Sequence, residues 1–269
     1  MKSLNKNFLK LDRLLKQKWE QIAYHYYTDY HPTTRNFDAV IDFYLPSYLK
    51  RVPKQGLFLD LGGGRGKLHQ FMQLHRSKII VGDISINMLK IEEETSQDFL
   101  RIQLSAFHLP FRNGIFDGVI SILGDPYVLP EVFQEVWRIL KFEGIFIIAL
   151  PSKLWASTLR PKIRVPLDKT VFTNKIYGTI KVPSFSYSEI ELKNHLLNAK
   201  FRNVKVRSFT AKHLIQKSEL SPHILIPCKN LGISPYDLPI VTIASACKDK
   251  NKTKIDIIRK GDVPNERKV

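Results

Sequence analysis

Asp60 and the glycines behind it, Gly62, Gly63, Gly64 and Gly66, stand at the end of the apolar run Leu57–Leu61. A strand that ends in an acid and a glycine loop, then opens a helix, offers backbone N–H groups to a ligand at close range. A second carboxylate, Asp83, closes the next apolar stretch, "IIVGD". At the end of a neighbouring strand it can accept hydrogen bonds from both hydroxyls of a ribose diol. The loop is not the dinucleotide fingerprint G-x-G-x-x-G, because Lys67 stands where the third glycine would fall. The pattern that fits is Asp60-x-Gly62-x-Gly64-x-Gly66.

Such groups need a sheet to hold them. Short runs rich in Ile, Leu and Val predict strands at Leu57–Leu61, Ile79–Asp83, Leu100–Leu104, Gly118–Leu123 and Ile145–Leu150. Helical patterns fall between them, near Lys67–Leu74, Ile86–Thr95 and Leu129–Leu140. Strands this apolar are covered on both faces, as in a parallel sheet. A helix over Ser188–Ala199 and strands at Val204–Phe209 and Pro239–Ala246 complete the series. The expected fold class is α/β, a Rossmann-like, doubly wound and mostly parallel seven-stranded sheet.

Ahead of the sheet, Phe8, Leu11, Leu15, Trp19, Ile22 and Tyr26 mark one face of a helix that Pro32 should end. A second helix is expected over Asn36–Leu45, with Pro46 after it. The expected organisation is a helical segment over 1–50, a main domain over 51–248 with insertions near 152–186 and 210–238, and a charged, disordered tail over 249–269.

The glycine loop resembles motif I of the class I S-adenosylmethionine (SAM) methyltransferases. Four further blocks follow in the order of that family. "GDISINML" resembles its segment after the second strand, and "AFHLPFRNGIFDGVI" its "LPF…FD.V" segment. "EVWRILKFEGIFIIALP" is similar to "E..R.LkpGG.....P", and "SEIELKNHLLNAKFRNVKV" to the closing helix and sixth strand. The resemblance covers about residues 19–210, most closely in the type-11 branch. It implies SAM as cofactor, with Gly62, Gly63, Gly64 and Gly66 shaping the loop, Asp60 at the methionine end and Asp83 on the ribose. It also implies that Ile84 lies against adenine, with Ser105 and Ala106 at the adenine edge. Ser105 stands where relatives often carry an acid. The sequence departs from the family twice more: "KFEG" replaces "kpGG", and "NAKF" replaces "aGF", so that a helix cap is expected to be lost at Lys200. In many relatives the segment before motif I folds over SAM as a lid. That makes Tyr30 and Arg35 candidate cofactor contacts, the arginine pairing with the SAM carboxylate, while Tyr26 reads as core.

SAM carries its own electrophile, so the chain has to orient and desolvate rather than activate. After the fourth strand comes "LGDPYVLP", where Asp125 and Tyr127 are the candidate catalytic residues. "GDPY" is similar to the [DN]PPY motif of amino-group methyltransferases with one proline missing. The alternative is that Asp125 caps a helix whose first turn holds Pro126. In the insertion, "KLWASTLRPKIRV" is basic and carries Trp155, which reads as a grip on an anionic acceptor or as a loop anchored by its tryptophan. The histidines have no metal-ligand spacing with Cys or acids, so no metal is expected.

The formal net charge is +17. Six Lys or Arg stand against Asp12 in residues 2–18, and eight against four acids in 248–269. This agrees with a polyanionic partner such as RNA or with a solvated lysine-rich surface. "GKL" and "TRNFDAVIDF" are similar to stretches of tRNA wobble-uridine methyltransferases. Two cysteines cannot build a disulfide framework, the N-terminus has no apolar signal core, and the longest apolar run is "IFIIAL", so a cytoplasmic chain with no membrane partner is expected. The expected activity is methyl transfer to an O or N nucleophile of a small organic acceptor. The alternatives are an RNA methyltransferase or a catalytically silent SAM-binding partner subunit.

Overall fold

Apolar strands that alternate with amphipathic helices assemble here into one sheet with helices on both faces. The structure, a computed structural model, describes residues 6–28, 32–72, 76–91, 100–159, 169–174 and 177–249. Two helices, α1 (Lys6–Thr28) and α2 (Pro32–Leu49), precede β1 (Gln55–Leu61). Then come α3 (Leu68–Met72), β2 (Arg76–Asp83), α4 (Ile86–Lys90), β3 (Leu100–Gln103) and β4 (Phe116–Ile122). The chain continues through α5 (Pro130–Ile139), β5 (Leu140–Pro151), α6 (Lys153–Leu159) and a hairpin, β6 (Lys169–Asn174) and β7 (Gly178–Pro183). It closes with α7 (Glu189–Asn198), β8 (Arg202–Phe209), α8 (Pro222–Leu231) and β9 (Val241–Cys247).

The sheet order is β3-β2-β1-β4-β5-β9-β8. The first five strands pair in parallel, and β9 runs antiparallel between β5 and β8. The order reverses between β1 and β4. In such a sheet a crevice opens there, beyond the C-terminal ends of the strands. Register puts Asp60 of β1 beside Val81 of β2 and Ile120 of β4, so the glycine loop leaves the sheet at this crevice. On one face Leu15 and Ile22 of α1, Phe133 of α5 and Leu192 of α7 pack on the strands. On the other face Val40 and Ile41 of α2, Leu68 of α3 and Ile224 of α8 do so.

Several expectations change. Pro32 does not merely end the first helix; it starts α2, at a position where a missing N–H loses no partner. Accordingly α2 is longer than Asn36–Leu45, and Pro46 sits inside its last turns with its carbonyl still accepting from Lys50 N at 3.2 Å. Within the expected insertion near 152–186 lie α6 and the β6–β7 hairpin. The long connector before β9 contains α8, with Ser221 at its N-cap and Pro222 in its first turn. Pro222 thus begins a helix there rather than ending one. The expected tail lies outside the described residues beyond Asp249.

The two family departures sit where the backbone turns left-handed. Glu143 has φ 68° and Lys200 has φ 72°. The cap expected to be lost at Lys200 is kept: Lys200 N donates to Leu197 O at 3.0 Å and Phe201 N to Leu196 O at 3.1 Å. The lysine takes the conformation that glycine adopts more cheaply.

Candidate functional site

Gly62 leaves β1 with φ 70°, and its N–H donates to Gly82 O of β2 at 2.8 Å. Gly63 N donates to the same carbonyl at 3.2 Å, and Gly66 N to Gly63 O at 2.8 Å. The loop is therefore tied to β2 before it enters α3. A Cβ on Gly63 would stand 2.5 Å from Asp60 Cγ, and one on Gly62 would point at the Tyr127 ring at 3.7 Å. Side chains are absent because the Asp60 carboxylate and a cavity occupy that space. Asp60 is buried, and its Oδ2 accepts from Leu68 N at 3.3 Å, holding the start of α3.

Asp83 ends β2 beside this loop. Its Oδ2 accepts from Gly64 N at 3.1 Å and its Oδ1 from Ser85 N at 2.9 Å. Burial raises its pKa to about 6, against those two hydrogen bonds, which favour the charged form; the charge of Glu20 adds to the rise. Glu20 of α1 accepts from Ser85 Oγ at 3.1 Å, Ile86 N at 2.8 Å and Asn87 N at 3.1 Å. A side chain of the N-terminal helix thus caps α4 and holds α1 over the ends of β1 and β2.

Two adjoining cavities result. The first holds Asp60, Gly62, Gly63, Gly64, Asp83 and Tyr127 on its wall, with Arg65 and Lys67 as its cations. It encloses about 730 Å³, mouth included. Lys67 Nζ pairs with Asp38 at 2.5 Å and Asp42 at 2.8 Å, which fixes α2 against the loop. The second, about 870 Å³ with its mouth, holds Phe37, Asp125, Trp155, Lys169, Phe172 and His223. They share a wall of Trp19, Tyr26, Thr34, Leu123 and Pro126. Leu123, at the end of β4, holds φ 56°, a strained setting for a branched residue.

Among the expected site residues, the structure gathers Asp60, Gly62, Gly63, Gly64, Asp83 and Tyr127 on one wall. Gly66 shapes the turn with φ 97° but is not part of that wall. Ile84 and Ala106 are buried in the core instead. Ser105 is also away from the cavity. Its hydroxyl donates to Asp12 Oδ1 at 2.5 Å, and Phe8 packs on Phe107 with ring centroids 5.6 Å apart. The apolar face of α1 had to be buried somewhere, and it covers this edge. Tyr30 lies outside the described residues. Arg35 is exposed and lines neither cavity. Tyr26, read as core, is on the shared wall, edge-on to Trp19 at 5.7 Å.

Asp125 and Tyr127 part company. Tyr127 backs onto the glycine loop, and burial together with the charges of Asp83, Asp12 and Asp125 pushes its phenol well above 10. The phenol therefore stays protonated, with an O–H to donate and an oxygen that can still accept. Asp125 faces the second cavity, where its carboxylate accepts from the Ser184 hydroxyl and its carbonyl from Phe185 N at 3.1 Å. His223 went unselected in the sequence, because a lone histidine in a proline-rich connector carries no pattern. Its Nδ1 lies 3.2 Å from Thr33 Oγ1, and its carbonyl accepts from Trp155 Nε1 at 3.1 Å. Burial lowers its pKa, so the neutral imidazole is favoured.

Comparison with known proteins agrees with this geometry. The family described as "Methyltransferase domain", type 11, matches residues 59–148. The human mitochondrial arginine-hydroxylase NDUFAF5 is 36% identical over 97 residues, 35% of this chain and 28% of that protein. The demethylmenaquinone methyltransferase of Staphylococcus saprophyticus is 30% identical over 151 residues, 51% of this chain and 64% of that enzyme. The chain thus spans under two thirds of the length of either relative. Among solved structures, a SAM-dependent methyltransferase of Thermotoga maritima aligns with a TM-score of 0.58 at 19% identity, covering 87% of this chain and 100% of that one. A Haloferax volcanii methyltransferase in complex with the Trm112 activator aligns with a TM-score of 0.58 at 14% identity, covering 78% and 92%. At such identities the likeness is one of fold. With strand order, glycine loop and the acid closing β2 in place, residues 59–148 match the type-11 methyltransferase-domain family, and the chain carries a class I SAM-dependent methyltransferase fold.

Proposed function

We propose that this chain moves a methyl group from SAM to an O or N nucleophile of a small organic acceptor. The observation that carries the reading is the shared wall: a cavity built by the glycine loop and Asp83 opens beside a second one with aromatic sides. SAM, when bound, supplies an electrophilic methyl group on sulfur. Asp83 would accept from the ribose hydroxyls, the loop N–H groups would face the methionine end, and Arg65 is the cation on that wall suited to its carboxylate. Trp19 and Tyr26 of α1 would exclude water from the junction. The S. saprophyticus relative is named for demethylmenaquinone, and a flat ring system suits the aromatic second cavity here.

Titrating SAM and S-adenosylhomocysteine calorimetrically into wild type and Asp83→Ala tests the cofactor half. The mutant should lose about 1.5–3 kcal/mol, the worth of a hydrogen bond to a charged group. A wild-type protein that binds neither ligand would end the reading.

A second reading, an RNA acceptor, is favoured by one surface. A groove between α2 and β8 gathers Arg51, Lys193, Lys205 and Arg207 beside Tyr44, Tyr48 and Phe209. Binding of a tRNA that falls steeply with added salt would support it. Turnover of a small acceptor that ignores salt would support the first reading.

A further inference from the structure

We infer that the outer edge of β8 is a docking site for a partner protein, which it takes as one further strand, extended and acidic on one face. β8 ends the sheet, and its eight residues make a longer edge than the four of β3 at the other end. The groove between α2, α7 and this strand shares no lining residue with either cavity, so the inference stands apart from the methyltransferase reading.

The strand's outward groups follow from its hydrogen bonds. Ser208 N donates to Glu189 Oε1 at 2.7 Å, away from β9, whereas Phe209 O accepts from Ile240 N at 2.8 Å. The Ser208 and Thr242 hydroxyls meet at 3.0 Å, the close side-chain approach of an antiparallel pair that exchanges no backbone hydrogen bonds. Backbone direction alternates along such a strand, so Val206, two residues before Ser208, also turns its N–H and C=O away from β9. Glu189 caps the edge at Ser208. At Val206 neither backbone group has a partner on the outer side among the described residues. Open N–H and C=O groups of this kind are what an added strand pairs with.

Side chains supply the selectivity. Alternation puts Lys205, Arg207 and Phe209 on the α2 face, where Phe209 stacks on Tyr44 at 4.0 Å. It puts Val204 and Val206 on the α7 face, packed with Leu192 and Leu196. Arg51, just past α2, joins the first set: its charge and that of Arg207 both act on the Tyr48 phenol. Lys193 of α7 lines the same groove. These four cations are exposed, and none pairs with a carboxylate among the described residues. Glu189, the carboxylate on this lining, is held on Ser208 N. Like charges turn away a second copy of this edge, and the same charges attract an acidic strand. A strand laid beside β8 would carry acids at alternate positions on the α2 face. The residues between them would be apolar, against Val206 and the exposed Ile190. A nucleic acid fits less well. It has no strand-spaced backbone to pair with Val206, and Tyr44 and Phe209 stack on each other rather than stand open to a base.

Fluorescence anisotropy of the full chain with a labelled peptide of alternating Glu and Val tests the inference. That peptide should bind, and two controls should bind about tenfold more weakly. One control is N-methylated along its backbone, which leaves it no N–H to donate. The other has the same composition with Glu and Val in separate blocks. Lys205→Glu combined with Arg207→Glu should weaken the alternating peptide by about tenfold or more. Both side chains are exposed, and circular dichroism with the denaturant midpoint reports that the double variant is folded. Should the reversal unfold the chain, the N-methylated control on wild type decides alone. No binding of the alternating peptide, or equal binding of either control, would overturn the inference. So would unchanged affinity in the folded double variant. An oligouridylate that binds more tightly than the peptide, and is released by the same double variant, would give the groove to RNA and overturn it too.

Discussion

The two cavities share a wall but are built in opposite ways. In the first, the loop after β1 and the acid closing β2 supply neighbouring polar groups, and one strand pairing brings them together. The second takes its walls from α1, α2, the end of β4, α6, the hairpin and α8, segments spread from Trp19 to His223. Backbone groups at strand ends are positioned by the sheet itself, so a short motif suffices. A cavity walled by side chains needs each supporting element to pack. The contrast teaches that the first cavity's polar wall is carried by the shared fold, and the second cavity by what is added around it.

Deleting a pillar of the second cavity separates the two most sharply. Trp155 is buried, edge-on to Phe37 and bonded to the His223 carbonyl. Trp155→Ala should cost about 3 kcal/mol of stability in denaturant titration. The folded fraction should still bind S-adenosylhomocysteine. Equal loss of both functions would mean that the two regions are one cooperative unit.

Acid should act on the first cavity instead. Asp83 has its pKa raised to about 6 from the model-peptide value of 3.8. On the proposed reading, ribose hydroxyls would donate to the carboxylate and favour its charged form, so binding would lower that pKa. Affinity for S-adenosylhomocysteine should be flat above pH 6 and fall by up to about tenfold per pH unit below it. Calorimetry from pH 5 to 8 would show this, with Glu20 the other carboxylate whose charge bears on Asp83. Without ligand the sign reverses: the protonated form is the one that folding favours, so this group's contribution to stability is lost as pH rises from about 4 to 6.

A smaller effect tests whether α1 is a lid held by one side chain. Glu20→Ala removes the cap on α4 and should cost about 1 kcal/mol. If α1 opens as a unit, the loss appears as faster S-adenosylhomocysteine dissociation in stopped flow. If only α4 frays, melting temperature falls and the dissociation rate stays as it was.

The smallest change should improve the protein. Lys200 and Glu143 pay for left-handed backbone that glycine would adopt freely. Lys200→Gly and Glu143→Gly should each raise stability by about 0.5 kcal/mol, read as a shift in denaturant midpoint, with both cavities unaffected. Destabilisation by either would mean that its side chain does more than cap a turn.

Much of the fold was legible because buried parallel strands read as unbroken Ile, Leu and Val runs, and the seven strands of the sheet overlap those expected. The hairpin was missed because "KTVFTN" and "GTIKVP" are short, half-polar strands that gain their order from each other. Helix α8 was missed because Pro222 looks the same in sequence whether it breaks or begins a helix. At the site, Asp60, the glycines and Asp83 were readable as a motif. His223 was not, since nothing nearby in sequence marks it.

What the sequence determined by itself is local: a glycine loop between strand and helix, an acid at the next strand end, and strands apolar enough to be covered on both faces. Steric freedom at glycine and burial of β-branched residues act over a few positions, so they can be read without knowing the rest. Only the tertiary structure decided that α1 covers Ser105, whose hydroxyl donates to Asp12, and which distant histidine joins Thr33 at the second cavity. Those outcomes depend on packing between segments up to 190 residues apart, where shape and hydrogen-bond partners, not sequence neighbours, set the lowest free energy.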